Sequence, residues 1–586
     1  EIGVIVVGSP SLLVWNNGSG NGEWDIESSF NWSNLVSQAS EQFVNADTVV
    51  FDDSITNAAN AALSSSTNID ISGGQVLIPQ AITNNSTVNY TLGGAGKISG
   101  SANIVKMGSS TLTISNINDF TGGVTINGGS VQIYGTGGNT ALGSGNPIVN
   151  AGGTLVGMNG DAFGYVPNAV PTNIVINGGT VSDLGSSSYR ITLPNLMFMG
   201  GTLTSAAGNF GDGNGNYSTW GNGTACTIST LATNSTALIS AGAIGLGKPT
   251  TFDVAAGNVT SGSTPGVDLL VTSQLVPYGA QPFTKVGAGT LALDANNTFI
   301  VPITVSAGVL QLGTANDVSA LTSPLGGWAT VTNNATLTFG SSQSVTVTNV
   351  ITGAGSVVVS SGSAILNGIN TYSGDTIVNG GTLAGTGTLG GNAVVNSSGT
   401  ISAGANGMTG VLRTPGNATL GGNALLKLND TTNDLLSVGG TLTYGGTLTL
   451  TNISPTPLAA GHSFKLFSAG TYGGTFAGIV TQPPLAAGLS WNTNNLAVNG
   501  TISVQSTAPS APQITGISVN GVTLTIKAAN GAASGQFVLL GSTNLSLPFS
   551  QWTPLLTNSF DSNGSLNLST NIINPAQPRE FYMLAQ

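Results

Sequence analysis

The chain has 586 residues, which is room for several domains or for one long array of repeats. Only 5% of the residues are charged, the formal net charge is −12, and the ten Lys and Arg residues are scattered singly. Because no basic stripe is present to release counterions from phosphate groups, we expect neither nucleic acids nor anionic membrane surfaces as partners.

The chain begins with a strand pattern that is apolar on both sides. Ile2, Val4 and Val6 would share one face, and Ile5 and Val7 would share the other. Such a strand needs burial on both faces, so residues 1–14 are predicted to form an apolar N-terminal strand. Two interpretations stay open. Ile2, Val4, Ile5, Val6 and Val7 either form a self-assembly site that adds to the sheet of a neighbouring subunit, or pair within their own chain as a cap.

The beginning of the sequence also bears on cellular location. Residue 1 is Glu and no basic region precedes it, so we expect an exported chain from which a signal peptide has been removed. No apolar run approaches the roughly 18 residues of a membrane span, so we expect no membrane insertion. The one cysteine, Cys226, cannot form an internal disulfide and is expected to be a small buried hydrophobic residue.

Residues 15–75 concentrate aromatic side chains and are predicted to form a β capping module. A row of exposed tryptophans would suggest a platform for carbohydrate, whereas buried rings would form the core of a cap. We favour the cap. The aromatic residues are Trp15, Trp24, Phe30, Trp32, Phe43 and Phe51.

Residues 76–505 are predicted to form a β-solenoid. Hydrophobic residues, 40% of the chain, recur in short strand-like runs separated by Gly-Gly, Asn-Gly and Ser-Gly turns. Three segments align without gaps: 118–131, 297–310 and 370–383. One such unit cannot bury its apolar face alone, so the units must stack into a continuous core. We expect ladders of Asn, Thr and Val along the stack, positive φ at the Gly-Gly corners, and stacking among Phe120, Phe299 and Tyr372 of the three copies.

These segments resemble the autotransporter-associated β-strand repeat of bacterial surface proteins, whose pattern combines Lys-x-Gly-x-Gly-Thr-Leu, Asn-Thr-Tyr and Gly-Thr-Leu. The matching positions are Lys106, Gly108, Thr111, Leu112, Gly122 and Gly123; Lys285, Gly287, Gly289, Thr290, Leu291, Asn297 and Thr298; and Asn370, Thr371, Tyr372, Gly374, Gly380, Gly381, Thr382 and Leu383. The resemblance implies a passenger-like extracellular or cell-surface protein.

Two features depart from that family. Pro302 stands where the pattern has Gly or Thr, and only about 85 residues follow position 500. An autotransporter ends in a translocator barrel of many alternating strands, so we expect that this chain lacks the barrel and the self-export route. Instead, residues 506–513 are predicted to be a linker, and residues 514–586 a small β-sandwich with Phe537, Trp552, Phe560 and Tyr582 in its core. This module resembles those of large secreted proteins from environmental bacteria related to Verrucomicrobia.

The chain offers little for catalysis. The single histidine, His462, lies in a turn at the start of a strand, where histidine usually has a structural role, and no His or Cys cluster is present for zinc. Asp430 and Asp434 lie in a polar turn, and Asp47, Asp52 and Asp53 were considered as calcium ligands. We expect no enzyme, no metal and no cofactor. A polysaccharide-degrading β-helix enzyme ranks third among the functions considered.

The sequence therefore predicts an all-β protein: an elongated parallel β-solenoid or β-helix followed by a small C-terminal β-sandwich. The leading functional hypothesis is an extracellular structural protein that assembles with itself into a filament or surface matrix, its subunits joined by strand addition. The alternative is a monomeric cell-surface adhesin or carbohydrate-binding protein of passenger type. The expected partner is a second copy of the chain, with surface polysaccharide as the other candidate.

Overall fold

The structure is a computed structural model that describes residues 9–56, 67–184, 190–205, 216–221, 223–279, 281–327, 330–405, 407–430, 432–507 and 511–586. The proposed assembly residues Ile2, Val4, Ile5, Val6 and Val7 lie outside the described residues. The chain divides into two compact units. Unit 1 comprises Glu1–Ile453 and Leu466–Val480, and unit 2 comprises Ser454–Lys465 and Thr481–Gln586.

Nearly every element is a short β-strand, in agreement with the alternating apolar pattern. The strands up to residue 184 are β1 Leu12–Trp15, β2 Trp32–Asn34, β3 Ser40–Glu41, β4 Thr48–Asp52, β5 Asn68–Asp70, β6 Val76–Leu77, β7 Ala81–Asn85, β8 Tyr90–Gly93, β9 Lys97–Ile98, β10 Asn103–Met107, β11 Thr111–Ile114, β12 Val124–Ile126, β13 Gly129–Ile133, β14 Gly135–Thr136, β15 Asn139–Thr140, β16 Ile148–Asn150, β17 Gly153–Gly157, β18 Asn173–Asn177 and β19 Thr180–Asp183.

The middle strands are β20 Ile191–Leu193, β21 Asn195–Phe198, β22 Thr202–Leu203, β23 Tyr217–Thr219, β24 Cys226–Thr230, β25 Ala237–Ile239, β26 Ala243–Leu246, β27 Thr250–Val254, β28 Leu269–Val271, β29 Gln274–Pro277, β30 Phe283–Val286, β31 Thr290–Leu293, β32 Ile303–Val305, β33 Val309–Leu312, β34 Val331–Asn333, β35 Thr336–Phe339, β36 Ser344–Val347, β37 Ile351–Thr352, β38 Ser356–Val359 and β39 Ser363–Leu366.

The remaining elements are β40 Thr376–Val378, β41 Gly381–Gly385, β42 Ala393–Val395, β43 Gly399–Ala403, β44 Val411–Thr414, β45 Ala418–Leu420, β46 Asn423–Leu428, β47 Leu435–Val438, β48 Thr441–Tyr444, β49 Thr447–Asn452, β50 Ser463–Lys465, β51 Phe467–Ser468, β52 Thr471–Gly474, β53 Gly478–Gln482, β54 Leu489–Asn492, α1 Leu496–Asn499, β55 Thr501–Ser506, β56 Gln513–Asn520, β57 Thr523–Ala529, β58 Gln536–Ser542, β59 Thr553–Ser559, β60 Leu566–Asn571 and β61 Phe581–Ala585. In the described part of the chain, no helix is long and apolar enough to cross a membrane.

Unit 1 is a parallel β-solenoid, as predicted. Sheet 1 has 16 strands in the order β3-β2-β1-β4-β7-β10-β12-β16-β18-β21-β24-β27-β30-β32-β34-β37. Sheet 2 runs from β5 and β8 through β11-β13-β17-β19-β22-β25-β28-β31-β33-β35-β38-β40-β42-β45-β48 to β52. A third side is built from sheet 3, β20-β23-β26-β29, and from sheet 4, β36-β39-β41-β43-β46-β49-β53. In the last coils, sheet 5, β44-β47-β51, supplies the strand between those of sheet 4 and sheet 2. Sheet 1 has this place in the earlier coils.

The strands stack in register, so like side chains form ladders. Leu112, Val131 and Leu155 are successive partners in sheet 2 and all three are fully buried. On the surface, Asn150 Nδ2 donates to Asn127 Oδ1 and Asn177 Nδ2 donates to Asn150 Oδ1, each at 2.7 Å. The Asn and Val ladders expected from the sequence are therefore present.

The third repeat copy occupies different sides of the solenoid from the first two. The first copy contributes β10 and β12 to sheet 1 and β11 and β13 to sheet 2, and the second copy does the same with β30 to β33. The third copy places β38 and β40 in sheet 2 and β39 and β41 in sheet 4. The repeat therefore specifies two strands and the corner between them, but not the sheet that they join.

Glycines form the corner between the second pair of strands in each copy. Gly129, Gly308 and Gly381 have φ of 65°, 67° and 66°. A Cβ on any of them would lie 2.3 to 2.4 Å from a carbonyl oxygen of the preceding coil. Both the left-handed conformation and the close approach of the coils exclude other residues.

A buried asparagine ties three coils together in every copy. Asn118, Asn297 and Asn370 are 2% to 4% exposed. Each side-chain Oδ1 accepts a hydrogen bond from a backbone N–H of the preceding coil, on Ile98, Leu275 and Ile351 respectively, at 2.7 to 3.0 Å. Each Nδ2 donates to a backbone carbonyl of the following coil, on Ala141, Pro324 and Thr388 respectively, at 2.6 to 2.9 Å. We call this arrangement the asparagine clamp.

The repeat aromatics pack against glycine rather than against one another. Phe120, Phe299 and Tyr372 are buried two residues after each clamp asparagine. Each ring lies against the glycine two residues after the carbonyl that accepts the clamp Nδ2: Phe120 against Gly143, Phe299 against Gly326 and Tyr372 against Gly390. A Cβ on that glycine would lie only 2.5 to 3.1 Å from a ring atom. The expected stacking among the three copies is wrong, because each ring fills the space that a missing Cβ leaves in the next coil.

The N-terminal end of unit 1 is capped by antiparallel pairing. Strand β1 pairs parallel with β4 on one side and antiparallel with β2 on the other. Five of the aromatic residues are at most 1% exposed and contact one another, with the Trp15 and Trp32 ring centroids 5.0 Å apart; the five are Trp15, Trp24, Trp32, Phe43 and Phe51. Only Phe30 is exposed, at 51%. These rings form a core, so the interpretation as a carbohydrate platform is wrong for the five.

Unit 2 is antiparallel. Strands β50, β55 and β54 form one small sheet. Residues 511–586 form two three-stranded sheets, β56-β57-β60 and β59-β58-β61, whose inner faces enclose Leu524, Ile526, Phe537 and Phe560. This is a β-sandwich. The predicted fold class, a parallel β-solenoid with a C-terminal sandwich, is confirmed.

The asparagine clamp makes a testable prediction for stability. Asn370→Ala would leave the N–H of Ile351 and the carbonyl of Thr388 buried without the side-chain partner. We expect a loss of about 1–3 kcal/mol in the free energy of unfolding and faster hydrogen exchange at the Ile351 amide. Asn379→Ala, which changes an exposed asparagine in the same copy, is the control and should cost less than about 0.5 kcal/mol. Equal effects of the two changes would contradict the clamp.

Candidate functional site

The catalytic candidates of the sequence are placed apart. His462 is in unit 2, where its Nδ1 accepts a 3.4 Å hydrogen bond from the N–H of Ala459. Asp434 is fully buried in unit 1 and forms a 2.7 Å ion pair with Lys427, and the backbone N–H groups of Gly410 and Lys427 also donate to it. Burial raises the pKa of the Asp434 carboxyl, and Lys427 opposes that rise. Asp434 therefore has a structural role in the coil.

The three aspartates considered for calcium do not converge. Asp47 and Asp53 stand at opposite ends of strand β4. Asp47 accepts hydrogen bonds from the N–H groups of Ser11 and Val44. Asp53 accepts bonds from the Ser86 hydroxyl and from Thr87, which hold the pKa of that carboxyl below its usual value. Within the ranges that the structure describes, no three His, Cys, Asp or Glu side chains are grouped to hold a metal.

Cys226 is buried in strand β24, as expected for a small hydrophobic residue. Its Sγ lies 3.7 Å from the carbonyl oxygen of Pro194, and burial raises the thiol pKa to about 12. The thiolate is the reactive form of cysteine, so this side chain is chemically inert at neutral pH.

The repeat lysines are buried at the corners of the first two copies. Lys106 Nζ donates to the carbonyls of Met107 and Gly108, and Lys285 Nζ donates to those of Val286 and Gly287. Burial lowers the pKa of both ammonium groups to about 8. The third copy has a corner that is one residue shorter, between Val359 and Ser363, and no lysine there. The lysine thus satisfies the carbonyls of the longer corner and is not a binding group.

Two carboxyl groups that no sequence motif marks lie close together just beyond the ends of two strands of sheet 2. Asp294 follows β31 and Asp317 follows β33, which is the neighbouring strand of sheet 2. The Thr314 hydroxyl lies 3.3 Å from Asp294 Oδ2 and 3.0 Å from Asp317 Oδ1. Burial and the neighbouring Asp317 raise the pKa of Asp294 to about 7. Asp317 Oδ2 is buried without a hydrogen-bond donor, which a proton held by Asp294 can supply.

The sequence signal for this pair is that both aspartates follow strands that are neighbours in sheet 2. Because the loops after the two strands differ, the spacing in the sequence does not show that the two residues meet. The pair can hold a proton near neutral pH. Among the described contacts, no base, nucleophile or cation lies beside the carboxyl pair to act with it.

One surface cluster combines rings with a cation. Lys248 Nζ lies 4.1 Å from the centroid of the Trp220 ring, and the Tyr165 ring centroid lies 6.0 Å from that of Trp220. Tyr165 is 37% exposed. Such a ring surface can stack on a sugar, and it lies far along the chain from the N-terminal tryptophans that the sequence singled out.

The C-terminal sandwich has an open edge. Strand β56 has eight residues and pairs only with β57 among the described strands. Its Ile517 and Val519 are 56% and 57% exposed. A cavity of about 310 Å³ adjoins them and is also lined by Ile573 and Tyr582. A long edge strand with exposed apolar side chains is a template for pairing with another strand.

The comparisons with known proteins agree with the repeat assignment. Residues 104–133, 283–312 and 352–384 match the Passenger-associated-transport-repeat family. The repeats are thus of autotransporter-passenger type, and the resemblance to such repeats is confirmed, whereas the relationship to Verrucomicrobia stays a prediction. No curated protein matches the chain.

The carboxyl pair predicts a pH dependence of stability. Because the pKa of Asp294 is raised in the folded state, the native chain binds more protons than the unfolded chain between about pH 4 and pH 7. Stability should therefore fall as the pH rises through about 7. Asp317→Asn should reduce this fall without abolishing it, because burial, the larger cause of the raised pKa, remains. The variant should be roughly 1 kcal/mol more stable than the unchanged chain at pH 8, allowing for solvent screening.

Thermal unfolding at pH 5 and at pH 8 measures this difference. Asp53→Asn is the control, because the pKa of Asp53 is lowered and its contribution changes only below about pH 4. An unchanged difference between the Asp317→Asn variant and the parent chain across pH 5 to 8 would refute the shared proton.

Proposed function

We propose that the protein is a non-enzymatic extracellular structural protein that assembles with itself into a filament or surface matrix by strand addition. The passenger-type repeats are typical of secreted and surface proteins. The composition supports assembly, because a chain in which only 5% of the residues are charged repels a second copy only weakly.

The observation that carries the proposal is the open edge of strand β56. Parallel solenoids and sandwiches expose unpaired N–H and C=O groups wherever a sheet ends, and such edges recruit strands. The N-terminal end of sheet 1 is covered by the antiparallel strands β2 and β3. Strand β56, in contrast, combines a free edge with exposed Ile517 and Val519. The apolar residues Ile2 to Val7 supply a matching strand in the sequence.

The alternative function is a monomeric adhesin or carbohydrate-binding protein. The half-exposed cluster of Tyr165, Trp220 and Lys248 favours it, since rings beside a hydrogen-bond donor suit a sugar. Under this alternative, Trp220→Ala should abolish binding on a glycan array while the chain stays monodisperse.

Electron microscopy of the purified full chain tests assembly. We expect filaments or sheets that grow with protein concentration. Deletion of residues 1–7 should leave folded monomers, because the donated strand is removed and the described fold is retained.

Two single substitutions refine this test. Val4→Asp places a charge on the apolar strand and should prevent assembly, whereas Ser9→Asp places the same charge on an exposed residue just after it and should not. Monodisperse particles of the unchanged chain at high concentration, or filaments from the deletion variant, would refute strand addition.

A further inference from the structure

The direction of each side chain on β56 follows from its register with β57. Ile517 pairs with Ile526, and Val519 pairs with Leu524. Paired residues in a sheet point to the same face, and both Ile526 and Leu524 are fully buried in the sandwich core. Ile517 and Val519 therefore point toward the inside of the sandwich and not toward its outer surface.

The inner face of β56 is nevertheless open. Although they point inward, Ile517 and Val519 remain more than half exposed. The cavity of about 310 Å³ lies in front of them, and Ile573 and Tyr582 on its other side pack against the core. The core is thus continuous with this cavity, and an apolar side chain placed there would extend it.

The opposite sheet ends one strand short of covering β56. Its order is β59-β58-β61, so β61 is hydrogen-bonded to β58 on one side only. Tyr582 of β61 lines the cavity together with Ile517 and Val519. One further strand beside β61 would lie over the inner face of β56. We call this space, between β61 and β56, the acceptor groove.

We propose that the acceptor groove receives residues 2–7 of a second copy, which add as a strand beside β61 and cover Ile517 and Val519. This inference rests on the proposed function and names the acceptor of its donated strand: the strand pairs with the free edge of β61, and β56 contributes the apolar face that is covered rather than its hydrogen-bonding edge. The match is one of length and pattern. Six extended residues span roughly 20 Å, enough to follow the five residues of β61, and alternate positions 2, 4 and 6 are all Ile or Val.

We choose an apolar strand over a sugar or a charged peptide because the groove leaves two apolar side chains, Ile517 and Val519, uncovered. The rest of the lining is largely polar, from Ser518, Asn574, Gln577 and Glu580, with Glu580 accepting a 2.8 Å hydrogen bond from the Tyr582 hydroxyl, and the backbone of a strand can pair with such groups. Burying these two apolar side chains lowers the free energy of association, as it does when a strand adds to other β-sandwiches.

Matched substitutions in the full chain test the groove. Ile517→Asp and Val519→Asp place a charge on the inner face, where a donated strand would bury it. Asn520→Asp adds the same charge beside Val519 on the outer face, opposite Thr523, at an exposed residue that does not line the cavity. We expect the two inner variants to stay monomeric and the outer variant to assemble like the parent chain. Circular dichroism and thermal unfolding confirm that the compared chains are folded, and Ile517→Thr serves as a milder variant if they are not.

A binding experiment separates this inference from the proposed function. A fluorescent peptide with the sequence of residues 1–8 and a lysine tail is titrated into the chain that lacks residues 1–7. Saturable binding, weakened at least tenfold by Val519→Asp but not by Asn520→Asp, supports the groove. Undiminished binding to the Val519→Asp variant, or assembly of that variant, overturns the groove and leaves strand addition intact.

Crosslinking decides between a second copy and the same chain. A chain carrying both Val4→Cys and Val519→Cys is oxidised and separated by size under denaturing conditions, with buried Cys226 left in place because it is inert. A ladder of covalent multimers is expected. Crosslinked monomers alone overturn the second copy as donor. A ladder equally strong from a chain with Asn520→Cys in place of Val519→Cys overturns the inward register.

Discussion

The solenoid depends on one contact, the buried asparagine that joins three successive coils. Parallel strand pairing connects neighbouring coils only where strands exist, and the stretch before the second strand pair of each repeat is irregular. Backbone hydrogen bonds between coils continue there, as from the Thr298 N–H to the Leu275 carbonyl and from the Thr371 N–H to the Ile351 carbonyl. They alternate with buried groups that a side chain must pair, because an unpaired group in the interior costs about as much as a lost hydrogen bond. Asn118, Asn297 and Asn370 satisfy one N–H and one carbonyl apiece.

The clamp also explains how coils of different length stack. The clamped carbonyl lies 23 residues after Asn118, 27 after Asn297 and 18 after Asn370. The leucine and glycine that follow the carbonyl are alike in all three, as Leu142, Leu325 and Leu389 are fully buried and the next residue is always glycine. Extra residues therefore leave the core as loops while the contact is kept, as expected where loop closure is inexpensive.

Charge is used sparingly, and some of it is buried. Lys106 and Lys285 hold carbonyl groups at the longer corners, and Lys427 pairs with Asp434. The outer surface carries asparagine ladders, which hydrogen-bond without net charge. Such a surface does not select partners by long-range electrostatics. The specificity of self-association must therefore come from shape and strand pairing. A strand such as β56, with a free edge and exposed apolar side chains, provides both.

The sequence by itself determined the strands, the glycine corners and the stacking, because period-two apolar patterns and glycine turns are local properties that Val131 or Gly381 carry regardless of context. It also determined the lysine and asparagine positions, though not their roles. Only the tertiary structure decided which sheet each copy joins, that Phe120 packs against Gly143, and that Asp294 meets Asp317. It alone decided that Ile517 and Val519 point inward and remain uncovered. These contacts join residues separated by loops of variable length, and no spacing in a single sequence encodes the register that brings them together.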